Sequence, residues 1–299
     1  MKFGTMAVVG CSNVGKSTLV NTLVNQKIAI VSDKPQTTRS RILGVAHFPQ
    51  GQLALLDTPG LHRPWHRLNK LMVRTALDAM HDADVLAVMA DARNLPGPAD
   101  RFVIEQIFSK HGRPSGLPVF LLVNKIDVMQ KRHVLPVIEA YRVLGEWMEI
   151  VPVSAKTGLN VDRLVSLVFD RVVEQDEAFG EDFVTDQSWR HLAAETIREK
   201  VIESTKAELP YAVAVKVDEF QENGRVTSIA ASIFVEKPGQ KAIVIGKSGA
   251  RLKAIGTAAR LELAEAMAGK VFLELHVKVK NAWRDDDRLL AELGYSTQP

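Results

Sequence analysis

The stretch VVGCSNVGKST contains the spacing G-x-x-x-x-G-K-[ST], formed by Gly10, Gly15, Lys16 and Ser17. It follows a short apolar run and precedes a segment with helical spacing, which is the context that a phosphate-binding loop requires. Glycines let the backbone wrap closely around phosphate, and the N–H groups at a helix start complement its charge. Lys16 should reach the β- and γ-phosphates, and the Ser17 hydroxyl should coordinate Mg²⁺. The pattern predicts a nucleoside triphosphate site.

A second motif, LLDTPG, stands at the end of another apolar run. Asp57, at the carboxyl end of this predicted strand, can hold Mg²⁺ through water, and the Gly60 N–H can meet the γ-phosphate. Together with the first motif it predicts both sides of a metal–triphosphate site.

The base is indicated by FLLVNKID, in which Asn124, Lys125 and Asp127 end a predicted strand. A carboxylate accepts two hydrogen bonds from guanine N1–H and its 2-amino group, whereas adenine would leave that buried acceptor unpaired. VSAK, residues 153–156, follows the next predicted strand and can place a backbone N–H at guanine O6. The three motifs therefore favour a guanine nucleotide over an adenine nucleotide.

The ordered set GxxxxGKS, DTPG, NKxD and SAK resembles the small GTPases of translation, and KPQTTRSRI (34–42) is similar to the first switch of the Era branch. The resemblance spans residues 5–295. It implies that a threonine caps Mg²⁺ in the GTP state; Thr38 is expected by position, with Thr37 as the alternative.

The resemblance also implies a set of site residues. Catalysis would rest on Lys16, Thr38, Asp57 and Gly60. Magnesium would be held by Ser17, Thr38 and Asp57. The nucleotide would be contacted by Gly10, Cys11, Ser12, Asn13, Val14, Gly15, Lys16, Ser17, Thr18, Asp57, Thr58, Pro59, Gly60, Leu61, Asn124, Lys125, Ile126, Asp127, Ser154, Ala155 and Lys156.

Four positions bear on the mechanism. Leu61 stands where Ras-like proteins carry a glutamine that orients the attacking water, so we expect slow hydrolysis until a partner or another residue orders that water. Asn13 matches an asparagine that related GTPases link to a potassium ion, which makes K⁺ an expected cofactor beside GTP, GDP and Mg²⁺. Cys11 and Ser12 replace residues that are commonly Arg and Pro in the family.

The tripeptide Gly-Lys-Ser recurs at residues 246–248. A second phosphate loop would need glycine at position 241, which is Lys241, and the next feature is Gly249. The resulting G-x-x-G, placed before a predicted helix, resembles the loop of a KH domain, which clamps the backbone of single-stranded nucleic acid. The same tripeptide is therefore expected to serve a different ligand.

The charges around this turn support that interpretation. Between residues 237 and 280 nine Lys or Arg side chains face three carboxylates, a concentration that suits a phosphate backbone. For Trp283 packing is the favoured role, with base stacking as the alternative. The expected RNA contacts are Gly246, Lys247, Ser248, Gly249, Arg251 and Lys253.

Elements that position these motifs follow from hydrophobic patterning. Nearly unbroken apolar runs, typical of strands covered on both faces, alternate with helical segments, and this predicts an α/β domain with a mostly parallel sheet and helices on both faces. The runs are 5–10, 53–57, 83–91, 117–124 and 149–154. The helical segments lie near 16–26, 66–81, 99–110, 133–146 and 160–173.

The pattern changes after an acidic stretch. We expect a P-loop GTPase domain at 1–175, an acidic linker at 176–187, and a smaller α+β domain of the type II KH fold at 188–299 that includes a carboxy-terminal tail. Strands with one covered face alternate apolar and polar residues, as the later strands do. The expected order is helix 188–206, strands 211–220 and 225–236, a glycine-bearing turn, helix 250–267 and strand 270–280.

Composition sets the remaining limits. The 299 residues are 46% hydrophobic and 24% charged with a net charge of +3, which is typical of a globular chain with two domains. One cysteine excludes an intramolecular disulfide and fits a reducing cytosol. No apolar run is long enough to span a membrane, and we expect no signal peptide and a cytoplasmic monomer.

The resemblance implies a GTP-hydrolysing switch that binds the 3′ region of small-subunit (16S) ribosomal RNA during 30S subunit assembly. One alternative is an RNA-binding scaffold with a structural nucleotide, which Leu61 favours. Another alternative is a GTPase that acts on membranes through its basic surface. As a secondary property, peripheral association with the inner face of the cell membrane is also compatible with the GTP-hydrolysing switch.

Overall fold

The computed structural model describes residues 1–109, 112–174, 178–205 and 209–295. Lys110 and Lys206 at the ends of two expected helices, Asp176 and Glu177 of the expected linker, and residues 296–299 of the expected tail lie outside the described residues. The chain divides into two compact units, and the first comprises Met1–Ala29, Gln36–Trp65 and Asn69–Asp186. The second comprises the described residues from Gln187 onward, with Ile30–Pro35 and His66–Leu68.

The first unit is built on one sheet with the strand order β2-β3-β1-β4-β5-β6, in which a short β7 also pairs with β1. Its strands are β1 (Lys2–Gly10), β2 (Ile42–Phe48), β3 (Gly51–Asp57), β4 (Val85–Asp91), β5 (Val119–Asn124), β6 (Glu149–Pro152) and β7 (Val173–Glu174). Neighbours pair in parallel except β2 with β3 and β7 with β1. Every residue of β3 and of β5 is buried, which explains why their sequences are mostly apolar.

Helices cover both faces of this sheet. They are α1 (Lys16–Val24), α2 (Arg67–His81), α3 (Pro98–Phe108), α4 (Lys131–Arg142) and α5 (Val161–Phe169). Residues of α1 and α5 join one hydrophobic core, and residues of α2, α3 and α4 join the other. The predicted α/β architecture is therefore confirmed.

Strand β2 was not predicted, because Gly44 and His47 interrupt its apolar character. It lies at the edge of the sheet, where Gly44 forms an isolated antiparallel bridge with Thr185 and the Val45 N–H donates to the Val184 carbonyl at 2.8 Å. Residues near the end of the first unit thus cover part of an edge that would otherwise expose unpaired backbone groups.

The second unit is α+β. Its helices are α6 (Trp189–Ser204), α7 (Leu209–Ala212), α8 (Pro238–Ile245), α9 (Ala250–Ala266) and α10 (Asp287–Glu292). Its strands are β8 (Ala214–Asn223), β9 (Val226–Val235) and β10 (Lys270–Val279). The sheet has the order β10-β9-β8, with β10 parallel to β9 and β8 antiparallel to it. This is the arrangement expected of a type II KH domain.

Helix α8 occupies the segment expected to be a glycine-bearing turn. Pro238 begins the helix, a position at which its missing N–H has no intrahelical partner to lose. The Gln240 side chain accepts hydrogen bonds from the N–H groups of Glu236 and Lys237, at 2.8 and 3.0 Å, and so caps the helix start. These local signals outweigh Gly239.

Trp283 packs inside the second unit. Its side chain is fully buried and its indole N–H donates to the Ala212 carbonyl at 2.8 Å. The packing role is confirmed, and a base-stacking platform is excluded because a base cannot reach the ring. None of the described helices combines the length and apolarity that crossing a membrane requires.

Candidate functional sites

The phosphate-loop motif lies between the end of β1 and the start of α1. Gly10 and Gly15 have φ angles of 148° and 105°, which side chains rarely adopt. A Cβ atom on Gly15 would lie 2.3 Å from Asn124 Nδ2, and one on Gly10 would lie 2.5 Å from the Met89 carbonyl oxygen. Both glycines are therefore required by backbone conformation and by close neighbours.

Lys16 begins α1 and is only 6% exposed. Its ammonium group donates to the carbonyls of Cys11 and Gly10, at 2.8 and 3.3 Å, so it points back into the loop. Burial lowers the pKa of Lys16, while Asp57 opposes this effect. A buried cation enclosed by loop carbonyls suits an anionic ligand, since added negative charge would offset its desolvation.

The three expected magnesium ligands meet at one point. The Ser17 hydroxyl donates to Asp57 Oδ2 at 2.6 Å and lies 2.8 Å from the Thr38 hydroxyl, which is 3.5 Å from the same carboxylate oxygen. Thr38, the threonine expected by position, therefore lies beside both Ser17 and Asp57. Asp57 is fully buried, burial raises its pKa to about 6, and among the described residues its Oδ1 has no hydrogen-bond partner. A buried, incompletely paired carboxylate beside two hydroxyls fits Mg²⁺, which prefers oxygen ligands.

Gly60 lies directly against the phosphate loop. A Cβ atom there would approach Ser12 Oγ to 2.5 Å and Ser12 N to 2.8 Å. The next residue, Leu61, is 1% exposed and packs into the core, while its N–H donates to the Gly10 carbonyl at 3.0 Å. Leu61 thus contributes only its backbone near the site, and it supplies no group that could orient water.

The side chains of Gln36 and His62 lie beside Gly60 and were not predicted as site residues. His62 Nδ1 donates to the Gly60 carbonyl at 2.7 Å, and its Nε2 lies 3.2 Å from the Gln36 amide nitrogen, from which it accepts. Gln36 Oε1 in turn accepts from Asn69 at 3.2 Å. The available sequence signal was the position of each residue. Gln36 immediately precedes the paired threonines, and His62 lies two residues after Gly60.

The guanine motifs form one connected loop structure. Asn124 donates to the Val14 carbonyl at 2.7 Å and accepts the Ala155 N–H at 2.8 Å, so it joins the phosphate loop to the SAK segment. The Ser154 hydroxyl donates to Asp127 Oδ1 at 2.7 Å, and Asp127 is otherwise exposed. This arrangement holds the Asp127 carboxylate at the surface, where it can accept hydrogen bonds from a base.

Lys125 connects the same loops through its ammonium group. It donates to the Asn13 carbonyl at 2.5 Å and to Asp91 Oδ2 at 2.8 Å. Asp91 was missed by sequence reasoning. The available signal was a carboxylate at the end of a predicted strand, since ligands of parallel α/β sheets bind outside the carboxyl ends of the strands.

The Cys11 side chain faces a carboxylate. Its thiol donates to Asp100 Oδ1 at 3.6 Å, and Asp100 Oδ2 accepts the Gly97 N–H at the start of α3. Burial, followed by the charge of Asp100, raises the pKa of Cys11 to about 12. The thiol is therefore protonated at neutral pH.

The remaining expected nucleotide contacts differ in placement. The Thr58 hydroxyl is buried and donates to the Val8 carbonyl at 2.7 Å, so its side chain is structural. Lys156 is exposed, and Ile126 begins a short 3₁₀ turn that carries Asp127. Val14 and Pro59 are buried, while Thr18 on α1 is partly exposed.

In the second unit the G-x-x-G turn joins α8 to α9. Gly246, Ser248 and Gly249 have φ angles of 72°, 50° and 78°. Lys247, Ser248, Arg251 and Lys253 are exposed, and one guanidinium nitrogen of Arg251 donates to the Ile243 carbonyl at 2.5 Å. The expected RNA-contact residues thus cluster around the turn and the first turn of α9.

A groove of about 380 Å³ begins at this turn. One face of α9 lines it at the spacing of three and four residues, and two inward-facing residues of β10 complete the wall. The lining residues are Gly249, Leu252, Lys253, Gly256, Thr257, Arg260, Leu273 and Leu275. The groove has an apolar floor and two cations, Lys253 and Arg260, of which Arg260 was not predicted as a contact.

Together these elements define a P-loop GTPase domain followed by a KH domain. A family model described as "50S ribosome-binding GTPase" matches residues 5–125, and one described as "KH domain" matches residues 208–284. GTPase Era of Geobacter metallireducens is 46% identical over 295 residues, covering 98% of this chain and 97% of the relative. The chain belongs to the Era family of GTPases.

Two solved structures resemble the whole chain. One is an Aquifex aeolicus Era variant bound to GDP and AlF₄⁻, and the other is Era in complex with MgGDPNP and nucleotides 1506–1542 of 16S ribosomal RNA. Each has a TM-score of 0.93 and 40% sequence identity, and each match covers 99% of this chain and 100% of the other. The protein is thus a GTPase that binds guanine nucleotides.

Proposed function

We propose that this protein is a GTP-dependent switch that binds small-subunit ribosomal RNA near its 3′ end and acts in 30S subunit assembly. The observation that carries the proposal is the basic groove beside the Gly246–Gly249 turn, on a chain that also carries the motifs of a guanine-nucleotide site. The related Era captured with a 3′ fragment of 16S ribosomal RNA supports the same ligand class.

The groove suits single-stranded RNA for physical reasons. Glycine at positions 246 and 249 permits the left-handed turn, and a Cβ on Gly246 would approach Arg251 Cβ to 2.7 Å. Backbone groups at the start of α9 can then meet phosphate, while Lys253 and Arg260 neutralise its charge. The apolar floor leaves room for unstacked bases. Gly246, Lys247, Ser248, Gly249, Arg251 and Lys253 are the proposed contacts, together with Arg260.

At the nucleotide site, Lys16 and the loop N–H groups would bind the phosphates, and Ser17, Thr38 and Asp57 would hold Mg²⁺. Bound Mg²⁺ neutralises charge on the phosphate oxygens. The Gly60 N–H would meet the γ-phosphate, and Asp127 with the Ala155 N–H would select guanine. The buried Leu61 supports slow intrinsic hydrolysis. A potassium ion at Asn13 is part of the proposal, and equal turnover in sodium and potassium buffers would remove it.

The proposed organisation is a GTPase domain at 1–175, a linker at 176–187 and a KH domain at 188–299, acting as a cytoplasmic monomer. Peripheral association with the inner face of the cell membrane stays a prediction, and salt-sensitive binding to anionic liposomes would test it.

A binding experiment tests the RNA proposal. The full chain, loaded with GDP or a non-hydrolysable GTP analogue, is titrated with a labelled RNA from the 3′ end of small-subunit ribosomal RNA. We expect Lys253→Ala with Arg260→Ala to weaken binding about tenfold, since each removes a phosphate contact. Lys131→Ala with Arg132→Ala, which removes two exposed cations from α4, is the matched control. Unchanged affinity in the groove variant would reject the groove as the RNA site.

The same titration tests switching. A GTP-dependent switch requires different RNA affinities for the two loaded forms, because a ligand shifts an equilibrium only through differential affinity. Equal affinities would reject switching while leaving RNA binding intact.

The scaffold alternative is favoured by one observation, the burial of the Leu61 side chain in the hydrophobic core. Phosphate release measured with and without 30S subunits separates the two functions. A switch predicts stimulation by the subunits, whereas a scaffold with a structural nucleotide predicts none.

A further inference from the structure

Asp91 is the last residue of β4 and its side chain is 14% exposed. Arg93 engages both of its carboxylate oxygens, with Nε 2.9 Å from Oδ1 and Nη2 2.7 Å from Oδ2, and the Arg93 N–H adds a bond to Oδ1 at 3.0 Å. Lys125 Nζ donates to Oδ2 at 2.8 Å. The carboxylate is therefore fixed from two sides.

The ionised form of this carboxylate is favoured. Partial burial opposes ionisation, but hydrogen bonds from Arg93 and Lys125 outweigh it and hold the pKa of Asp91 below its ordinary value. A stable negative charge next to Lys125 keeps that ammonium group in place.

Lys125 in turn fixes two loops. Its ammonium group donates to the Asn13 carbonyl of the phosphate loop at 2.5 Å, and its own backbone, with φ 70°, begins the turn that carries Asp127. Asn13 also has a left-handed backbone, with φ 64°. The Lys125 ammonium group thus connects two residues with left-handed backbones, Asn13 and Lys125 itself. Such a conformation persists only where the surrounding structure holds it.

A lysine side chain that is 25% exposed would otherwise sample several rotamers. Ordering such a side chain costs conformational entropy. If the Lys125 side chain is already ordered in the nucleotide-free protein, nucleotide binding does not lose that entropy.

We propose that Asp91 is a positioning residue of the guanine site, which acts through Lys125 to hold the NKID loop against Asn13 before the nucleotide binds. The inference rests on the proposed roles of Lys125 and Asp127. Within the described part of the chain, the Asp91 carboxylate bonds to Arg93 and Lys125 and not to the proposed phosphate and magnesium residues, which are Lys16, Ser17, Thr38 and Asp57. It should therefore affect GDP and GTP binding alike and leave the hydrolytic step unchanged.

The test compares Asp91→Asn with Asp78→Asn in the full chain. Asparagine keeps the size and one acceptor of Asp91 but removes its charge, and Asp78 is an exposed residue whose salt bridge to Arg74 lies on α2. Dissociation of fluorescent GDP, the KM for GTP and kcat are measured. We expect Asp91→Asn to release GDP about tenfold faster and to raise KM similarly, with kcat within twofold of the original. The control should match the original protein.

A double-mutant cycle shows whether Asp91 acts through Lys125. Because the effect passes through the ammonium group, adding Asp91→Asn to Lys125→Met should change GDP release less than twofold. Additive effects would overturn the proposal, as would GDP release in Asp91→Asn within twofold of the original protein. A fall in kcat as large as the rise in KM would also overturn it, since general damage affects both.

Two further readouts keep the test decisive. Arg93→Ala removes an exposed side chain that fixes Asp91, so we expect it to speed GDP release about threefold. This variant tests the proposal even if Asp91→Asn does not fold. If Asp91→Asn does not fold and Arg93→Ala releases GDP at the original rate, the proposal is overturned. If the original protein binds no GDP, the proposed nucleotide site fails; if it binds GDP and the variants behave like it, only the role of Asp91 fails.

Discussion

The two Gly-Lys-Ser turns of this chain share three residues and differ in what surrounds them. At Gly15-Lys16-Ser17 the lysine is buried, its ammonium group is enclosed by loop carbonyls, and the serine meets Asp57 and Thr38. At Gly246-Lys247-Ser248 the lysine and serine are exposed at the mouth of an open groove. The first turn is enclosed by other motifs and the second is open along one side.

The glycine of each tripeptide shapes the turn, whereas the surroundings determine which ligand fits. In both turns glycine permits the backbone to expose N–H groups at a helix start. Enclosure then decides the ligand, since a closed loop with a buried cation fits one compact phosphate chain, whereas an open turn can follow a polymer. The tripeptide alone cannot distinguish these cases.

The largest effect should come from exchanging the two lysines for neutral residues. Lys16→Met keeps the buried volume but removes the charge that stabilises the phosphates, so we expect kcat/KM for GTP to fall about 10³-fold. Lys247→Met should leave turnover without RNA within twofold and weaken RNA binding. Steady-state phosphate release and RNA titration measure both. Loss of nucleotide binding in Lys247→Met would instead make the second turn a nucleotide loop.

The reactivity of a thiol at each turn measures how enclosed that turn is. The pKa of Cys11 is raised to about 12, so at pH 8 the reactive thiolate is scarce, whereas an exposed cysteine has a pKa near 8.5. We expect iodoacetamide to label Cys11 about 10²-fold more slowly than a single thiol introduced by Ser248→Cys in a Cys11→Ser background. The Cys11 rate should still be rising at about pH 10, whereas the rate at position 248 should level off above about pH 9. Equal rates at pH 8 would show that the first loop is open.

The same contrast explains what the sequence could predict. The residues proposed to contact phosphate and guanine lie on short motifs at strand ends, and a sequence pattern is sufficient to predict that these motifs meet. The long elements were also predictable, because a buried parallel sheet imposes unbroken apolar runs. Strand β2 was not predicted, because an edge strand with one glycine and one histidine lacks an unbroken apolar run.

Residues that act across the fold were harder to predict. Arg260 could have been found by extending the spacing of three and four residues from Gly249 along α9. Leu273 and Leu275 could not, since their place in the groove depends on the position of β10 in the sheet. Asp91 and Lys125 meet because β4 and β5 are neighbours, with Asp91 paired to Asn124. Such contacts depend on strand order, which no local pattern encodes.

The smallest effect separates the two turns by ionic strength. Each phosphate of a single strand that the protein neutralises contributes about 0.7 to the slope of log affinity against log salt. Lys253→Ala should therefore lower the slope for RNA binding by about 0.7, which amounts to roughly a 2.6-fold smaller loss of affinity between 50 and 200 mM salt. GDP affinity should change less over that range in both proteins, because salt screens the buried Lys16 poorly. An RNA slope that Lys253→Ala leaves unchanged would mean that the open turn holds its ligand without neutralising phosphate, and the contrast between the loops would then lie in shape alone.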